Sequence, residues 1–119
     1  MTLGRFIAML EQFPGDAEVF FDFGHISPDG FGSWRGVYSE LALGWKDHGD
    51  GRAPTVAALL TEAKDANGHT YTGWKGGKFK MDLDTPLWVD NAGDCSHTKI
   101  VGADLHYGQR VTLRTDQVE

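Results

Sequence analysis

Long apolar runs, paired cysteines and an excess of positive charge are what this sequence lacks, and each absence closes a class of function. No apolar stretch approaches the ~20 residues that a membrane-spanning helix requires. The opening MTLGRFIAMLEQF is amphipathic and has no unbroken apolar signal core, so it reads as mature structure. The single cysteine, Cys95, has no partner for an internal disulfide, which favours a reducing compartment. Acidic residues number 17 against 11 lysines and arginines, for a net charge of −6. Affinity for a nucleic-acid polymer depends on summed positive charge, so a polymer partner is disfavoured. A small phosphorylated ligand stays open, because one or two well-placed arginines suffice to hold it.

Motifs that announce catalysis are absent too. There is no phosphate-binding loop, no dinucleotide fingerprint, no Gly-x-Ser-x-Gly elbow and no His-Glu-x-x-His helix. Asp90, Asp94 and His97 form one acidic group and Asp47, His48 and Asp50 another, but neither has the spacing of a zinc or calcium site. They read as solvated loop side chains, so no metal and no cofactor is expected. Cys95 and His97 are two apart and would share one side of an extended segment. A thiol beside an imidazole can be an activated nucleophile, but no other part of a thiol-enzyme signature accompanies it.

What is present is a clear periodicity. Thr2 is an N-cap candidate, and Leu3, Phe6, Ile7 and Leu10 repeat at i, i+3, i+4 and i+7 until Pro14-Gly15. Thr55 begins a second helix in the same way, with Val56, Leu59, Leu60 and Ala63 on one face and Asn67-Gly68 at its end. Glu18 to Phe23 is expected as a short strand buried on both sides, and Gly24 to Gly32, rich in glycine, as a loop. Leu41 and Leu43 mark a further strand, and Lys46 to Ala53 a surface loop. Phe79, Met81 and Leu83 alternate with charged residues as a strand would. Leu87 to Val89, Thr98 to Val101 and Val111 to Leu113 supply the rest. The sum is a single α+β domain, residues 1–119, with two helices packed on one face of a mostly antiparallel sheet of about five or six strands.

Binding chemistry has better candidates than catalysis. Arg35 lies between the aromatics Trp34 and Tyr38, and joins a bidentate phosphate fork to flat surfaces that can stack a base. Trp74, Phe79 and Trp88 add stacking surface, Asn91 offers an amide for a base edge or ribose hydroxyl, and Arg110 with Arg114 can form a charged wall. The plainer reading is that the aromatics are core, since they supply much of a small domain's buried area.

Three segments carry a resemblance. They are Ser-Trp-Arg-Gly-x-Tyr-x-x-Leu-Ala at Ser33 to Ala42, Tyr-Thr-Gly-Trp-Lys-Gly-Gly-x-Phe-x-Met-Asp-x-Asp-Thr-Pro-Leu-Trp-Val at Tyr71 to Val89, and Asn-x-Gly-Asp-Cys-Ser-x-Thr-x-Ile-Val at Asn91 to Val101. With the Thr55 helix, this series resembles the first family of Thoeris anti-defence proteins, small signal sponges encoded by bacteriophages. The resemblance implies a non-enzymatic protein in the cytoplasm of the infected bacterial host. Such a protein holds a cyclic ADP-ribose isomer, made by a TIR-domain sensor, away from its effector without cleaving it. Some members also hold cyclic oligonucleotides at a separate site, and they assemble as dimers or larger homo-oligomers with pockets at subunit interfaces. Carried onto this chain, the resemblance points to Phe79, Asn91 and a C-terminal arginine, of which Arg110 is the nearest candidate. Arg35 would serve the same pocket or a second one. Two other readings stand beside it: an inhibitor that binds a host protein, and a thiol-dependent nucleotide hydrolase.

Overall fold

The computed structural model describes residues 1–23, 26–33, 40–47, 53–72, 77–90 and 97–118. Two helices, α1 (Leu3–Leu10) and α2 (Val56–Ala66), accompany eight strands: β1 (Glu18–Phe21), β2 (Ile26–Ser33), β3 (Leu41–Asp47), β4 (Thr70–Thr72), β5 (Lys78–Lys80), β6 (Leu87–Val89), β7 (His97–His106) and β8 (Arg110–Val118). Six strands form one sheet in the order β1-β8-β7-β6-β3-β2, while β4 and β5 make a separate two-stranded ribbon. The β1–β8 and β3–β6 pairs are parallel and the other three pairs of the large sheet are antiparallel. The fold is therefore α+β with a mostly antiparallel sheet.

Both helices begin alike. The Thr2 hydroxyl accepts the Arg5 N–H at 3.3 Å and the Thr55 hydroxyl accepts the Ala58 N–H at 3.2 Å, each satisfying one of the donors left open at a helix start. Each capping threonine is also bridged antiparallel to the chain, Thr2 to Pro86 and Thr55 to Glu18. The apolar stripes predicted from periodicity are buried, Leu3, Phe6, Ile7 and Leu10 in α1 and Val56, Leu59 and Ala63 in α2, joined by Ala66, except that Leu60 of the α2 stripe is only partly buried. They pack on one face of the sheet, against Val19, Phe21, Leu41, Leu43, Leu87, Val89, Ile100, Val111 and Leu113. Each large aliphatic or aromatic side chain buried there contributes about 1.5–3 kcal/mol.

That sheet cannot be flat. Phe21 and Ile26 end and begin the two edge strands and are five residues apart, so their Cα atoms lie at most ~18 Å apart. A flat six-stranded sheet would hold its edges ~24 Å apart. The sheet curls instead, bringing Cα atoms of β1 and β2 within 8 Å although no bridge joins them. The helices occupy the concave side, where the Phe6 ring meets Phe31 of β2 edge-on at 6.3 Å.

Several local expectations are corrected. Gly24 to Gly32 was expected as a loop, yet Ile26–Ser33 is a strand, because β3 pairs antiparallel with it on both sides of an irregularity. Its irregularity between Pro28 and Phe31 fits only because residue 44 is glycine: a Cβ there would lie 2.5 Å from the Asp29 carbonyl. β3 runs on through Lys46 and Asp47, which were expected in a loop. β1 is buried on one face only: Val19 and Phe21 face the core, and Phe20 faces outward beneath Arg110. Beyond β5 the chain turns, with Met81 fully buried but Leu83 exposed.

Candidate ligand cleft

Strand direction places the site. β8 and β1 are parallel, as are β3 and β6, and β7 runs antiparallel to both β8 and β6. The carboxyl ends of β1, β3, β6 and β8 therefore lie together at one end of the sheet. Side chains alternate along a strand, so the core-facing series Val19-Phe21 continues to Phe23, Leu41-Leu43 to Trp45, and Val111-Leu113 to Thr115 and Gln117. At this end no helix residue covers them among the described residues, and they open into a cleft of about 750 Å³. Its described lining is Phe23, Trp45, Val89, Asp90, Thr98, Thr115, Asp116 and Gln117.

Two aromatic rings stand exposed in it, Phe23 at 37% and Trp45 at 43%, where a ring deeper in the same layer such as Phe21 is only 2% exposed. Both are held. Phe23 stacks on Phe21 with ring centres 5.2 Å apart, and the Trp45 indole N–H donates to the Asp90 carbonyl. The Thr115 backbone N–H and hydroxyl both donate to the Asp22 carboxylate, at 2.9 and 2.6 Å, which locks that wall. Thr98 and Gln117 are cross-strand partners whose side chains have no intramolecular partner among the described residues. They are placed to hydrogen-bond a guest. Asp90 and Asp116 also border the cleft, at positions that alternate with its core-facing residues Val89, Thr115 and Gln117, and no lysine or arginine is in the described lining.

This arrangement offers exposed ring surface on which a flat heteroaromatic group can stack, with Thr98 and Gln117 for its polar edge. With no cation in the described lining to hold a phosphate, the uncharged part of a nucleotide fits here better than its anionic part.

The residues singled out from sequence lie elsewhere or outside the described residues. Trp34, Arg35, Tyr38, Trp74 and Asn91 are outside them, as are Cys95, His48 and Asp94; the His97 backbone begins β7. Phe79 sits in the β4–β5 ribbon opposite Tyr71, whose ring contacts His69 at 4.4 Å. Trp88 points to the outer face of the large sheet, and its indole N–H donates to Glu40 at 3.1 Å. Arg110 lies 3.9 Å over the Phe20 ring on that same outer face. The register puts Trp88 and Arg110 two strands and about six residues apart, so roughly 20 Å separates them. Arg114 shares the outer face of β8 with Arg110 and pairs with Asp104 at 3.0 Å, away from the cleft. The structure thus does not gather Phe79, Trp88 and Arg110 into one pocket. Phe23 and Trp45, which it does gather, were missed because each looks like the end of a core strand. Their phase relative to Phe21 and Leu43 was the available signal.

No metal-holding group of three or more histidine, cysteine or acidic residues occurs among the described residues, and no helix there is long and apolar enough to cross a membrane. Compared with protein-family models, curated proteins and solved structures, the chain matches none.

Proposed function

We propose that this protein binds and sequesters a cyclic nucleotide signal in the cytoplasm of an infected bacterium, without transforming it, and so blocks TIR-based defence. The observation that carries the reading is the cleft with exposed Phe23 and Trp45 on its walls and beside them two hydrogen-bonding side chains, Thr98 and Gln117, unpaired among the described residues. A purine base stacks on such rings for roughly 1–3 kcal/mol per contact. Thr98 and Gln117 bond its ribose hydroxyls or exocyclic amino group, and the phosphates stay toward the mouth. Such stacks add to hydrogen bonds of about 0.5–1.5 kcal/mol each from Thr98 and Gln117, against the cost of association. No nucleophile or metal is needed, because a sponge only has to release its ligand slowly. The Asn91 expected from the family resemblance follows directly on Asp90 in the sequence.

The test is a thermal melt against cyclic ADP-ribose isomers and cyclic di- and trinucleotides, followed by heat release and chromatography of the ligand. A ligand at a hundred times its dissociation constant adds about 2.7 kcal/mol of stability. A shift with the ligand recovered intact at fixed stoichiometry supports sequestration. A shift with altered ligand makes the protein an enzyme, and no shift with any of the panel removes the nucleotide reading.

A further inference from the structure

Helix α2 ends in the dipeptide Asn67-Gly68, and its two residues are there for different reasons. Gly68 has φ of 81°, a left-handed conformation that turns the chain from α2 into β4 and that glycine adopts without strain. Asn67 is the C-cap residue and is exposed, and its side-chain amide has no partner among the described residues. In deamidation the backbone nitrogen of the following residue attacks the asparagine Cγ. A glycine in that place has no Cβ to obstruct the approach, so the residue that the turn requires also makes Asn67 reactive.

In the folded protein the attacking nitrogen is held. The Gly68 N–H donates to the Met81 carbonyl at 2.7 Å, and the Met81 N–H donates back to the His69 carbonyl at 2.9 Å. Met81 is fully buried in the core, so this clamp is anchored from within. On the helix side the His69 N–H donates to the Ala66 carbonyl at 3.2 Å, which pins the chain again. Conformation opposes the reaction as well. Closing a five-membered ring requires the Gly68 nitrogen to lie nearly in line with Cβ, viewed along the Cα–C bond. At the Asn67 ψ of 119° it is turned well away. Ring closure therefore needs the clamp to open and Asn67 to rotate about ψ.

We propose that Asn67 is a modification site gated by the fold, deamidating through openings that release Gly68 from Met81. In the open form the Gly68 nitrogen gives up its proton and bonds to Cγ, the Cγ–Nδ2 bond breaks, and the amide nitrogen leaves as ammonia with that proton. Water then opens the succinimide at either carbonyl and leaves aspartate or isoaspartate at position 67. Both products disfavour reclosure. The new carboxylate sits at the negative end of the α2 dipole, two residues after Asp65. Lys64, the one basic residue in the last turn, already pairs with Glu11 at 3.7 Å. Isoaspartate also lengthens the backbone by one carbon between α2 and β4, which moves Gly68 out of register with Met81. The proposal stands apart from the ligand reading, and its test uses no ligand.

The full chain is incubated at mildly alkaline pH, native and in denaturing urea, and residue 67 is followed by peptide mapping with mass spectrometry. Conversion should be at least about tenfold slower in the native chain. The same opening frees the Gly68 amide hydrogen for exchange, so the slowing should match the Gly68 protection factor within about fivefold. Asn67→Asp, which carries the product's charge, should raise Gly68 amide exchange about two- to fivefold. Native conversion as fast as in urea, or a slowing outside the range set by the protection factor, would overturn the gate. An Asn67 that stays intact in the unfolded chain would overturn the site. Unchanged Gly68 exchange in Asn67→Asp would overturn the effect of modification on the clamp.

Discussion

Trp45 does two separable things, and replacing it in two ways should tell them apart. Its indole N–H donates to the Asp90 carbonyl, which ties β3 to the end of β6, and its ring face lines the cleft. Trp45→Phe keeps a ring and loses the donor. The Asp90 residue is exposed, so its carbonyl can turn to water, and the cost should sit near the low end of the ~0.5–1.5 kcal/mol of a hydrogen bond. A chain of this size would then melt about 2–5 °C lower, with ligand affinity changed little. Trp45→Leu loses the donor and the stacking surface together. Stability should fall by a similar amount, but affinity should drop by about 1–3 kcal/mol, or roughly 5- to 150-fold. Isothermal titration with whichever cyclic nucleotide shifts the melt, alongside differential scanning calorimetry of both variants, gives the two numbers. Wild-type affinity in folded Trp45→Leu would refute the argument, because the exposed ring would then not contact the ligand.

Other substitutions probe the scaffold. Gly44→Ala should cost about 1–3 kcal/mol, since its Cβ would meet the backbone carbonyl of Asp29 at 2.5 Å and the β2 irregularity would have to move. Gly102→Ala should cost less than 1 kcal/mol, as only the flexible Arg114 side chain must swing away from Asp104; urea unfolding that ranks the two the other way would contradict this. Tyr107 has φ of 55° in the β7–β8 turn, a left-handed conformation that costs a non-glycine residue about 1 kcal/mol, so Tyr107→Asn should raise the melting temperature by a few degrees. An unchanged or lower melt would show that the turn is unstrained. Burial, with Asp65 and Glu62 nearby, raises the Tyr71 hydroxyl above its ordinary value of 10.0. The folded state thus favours neutral tyrosine, and this stability is complete below pH 10 and is lost as pH climbs through the raised folded value. Tyr71→Phe should flatten the fall in urea stability above pH 10, and parallel curves for the two proteins would disprove the linkage.

The helices were legible because their information is local. A threonine at the cap and four apolar residues at helical spacing fix where each helix starts and which face it buries, whatever the rest of the chain does. Alternation likewise marked β3 near Leu41 and β8 near Val111, and two such helices with several short strands already implied an α+β domain. β2 was hidden because Pro28, Asp29, Gly30 and Gly32 have low strand propensity, and only pairing with β3 makes that segment extended. The length of the β7–β8 hairpin was understated for a related reason: a strand with one exposed edge needs few apolar residues of its own. The candidate site depended on contacts still more distant. Phe23 and Trp45 are far apart in sequence and share a cleft only because β1 and β3 point the same way in a curled sheet. Arg110 and Trp88, which sequence made plausible neighbours, are separated by a register that only strand pairing sets. Local chemistry determined the elements and their buried faces; strand order, direction and curl are non-local, and they decided which side chains meet.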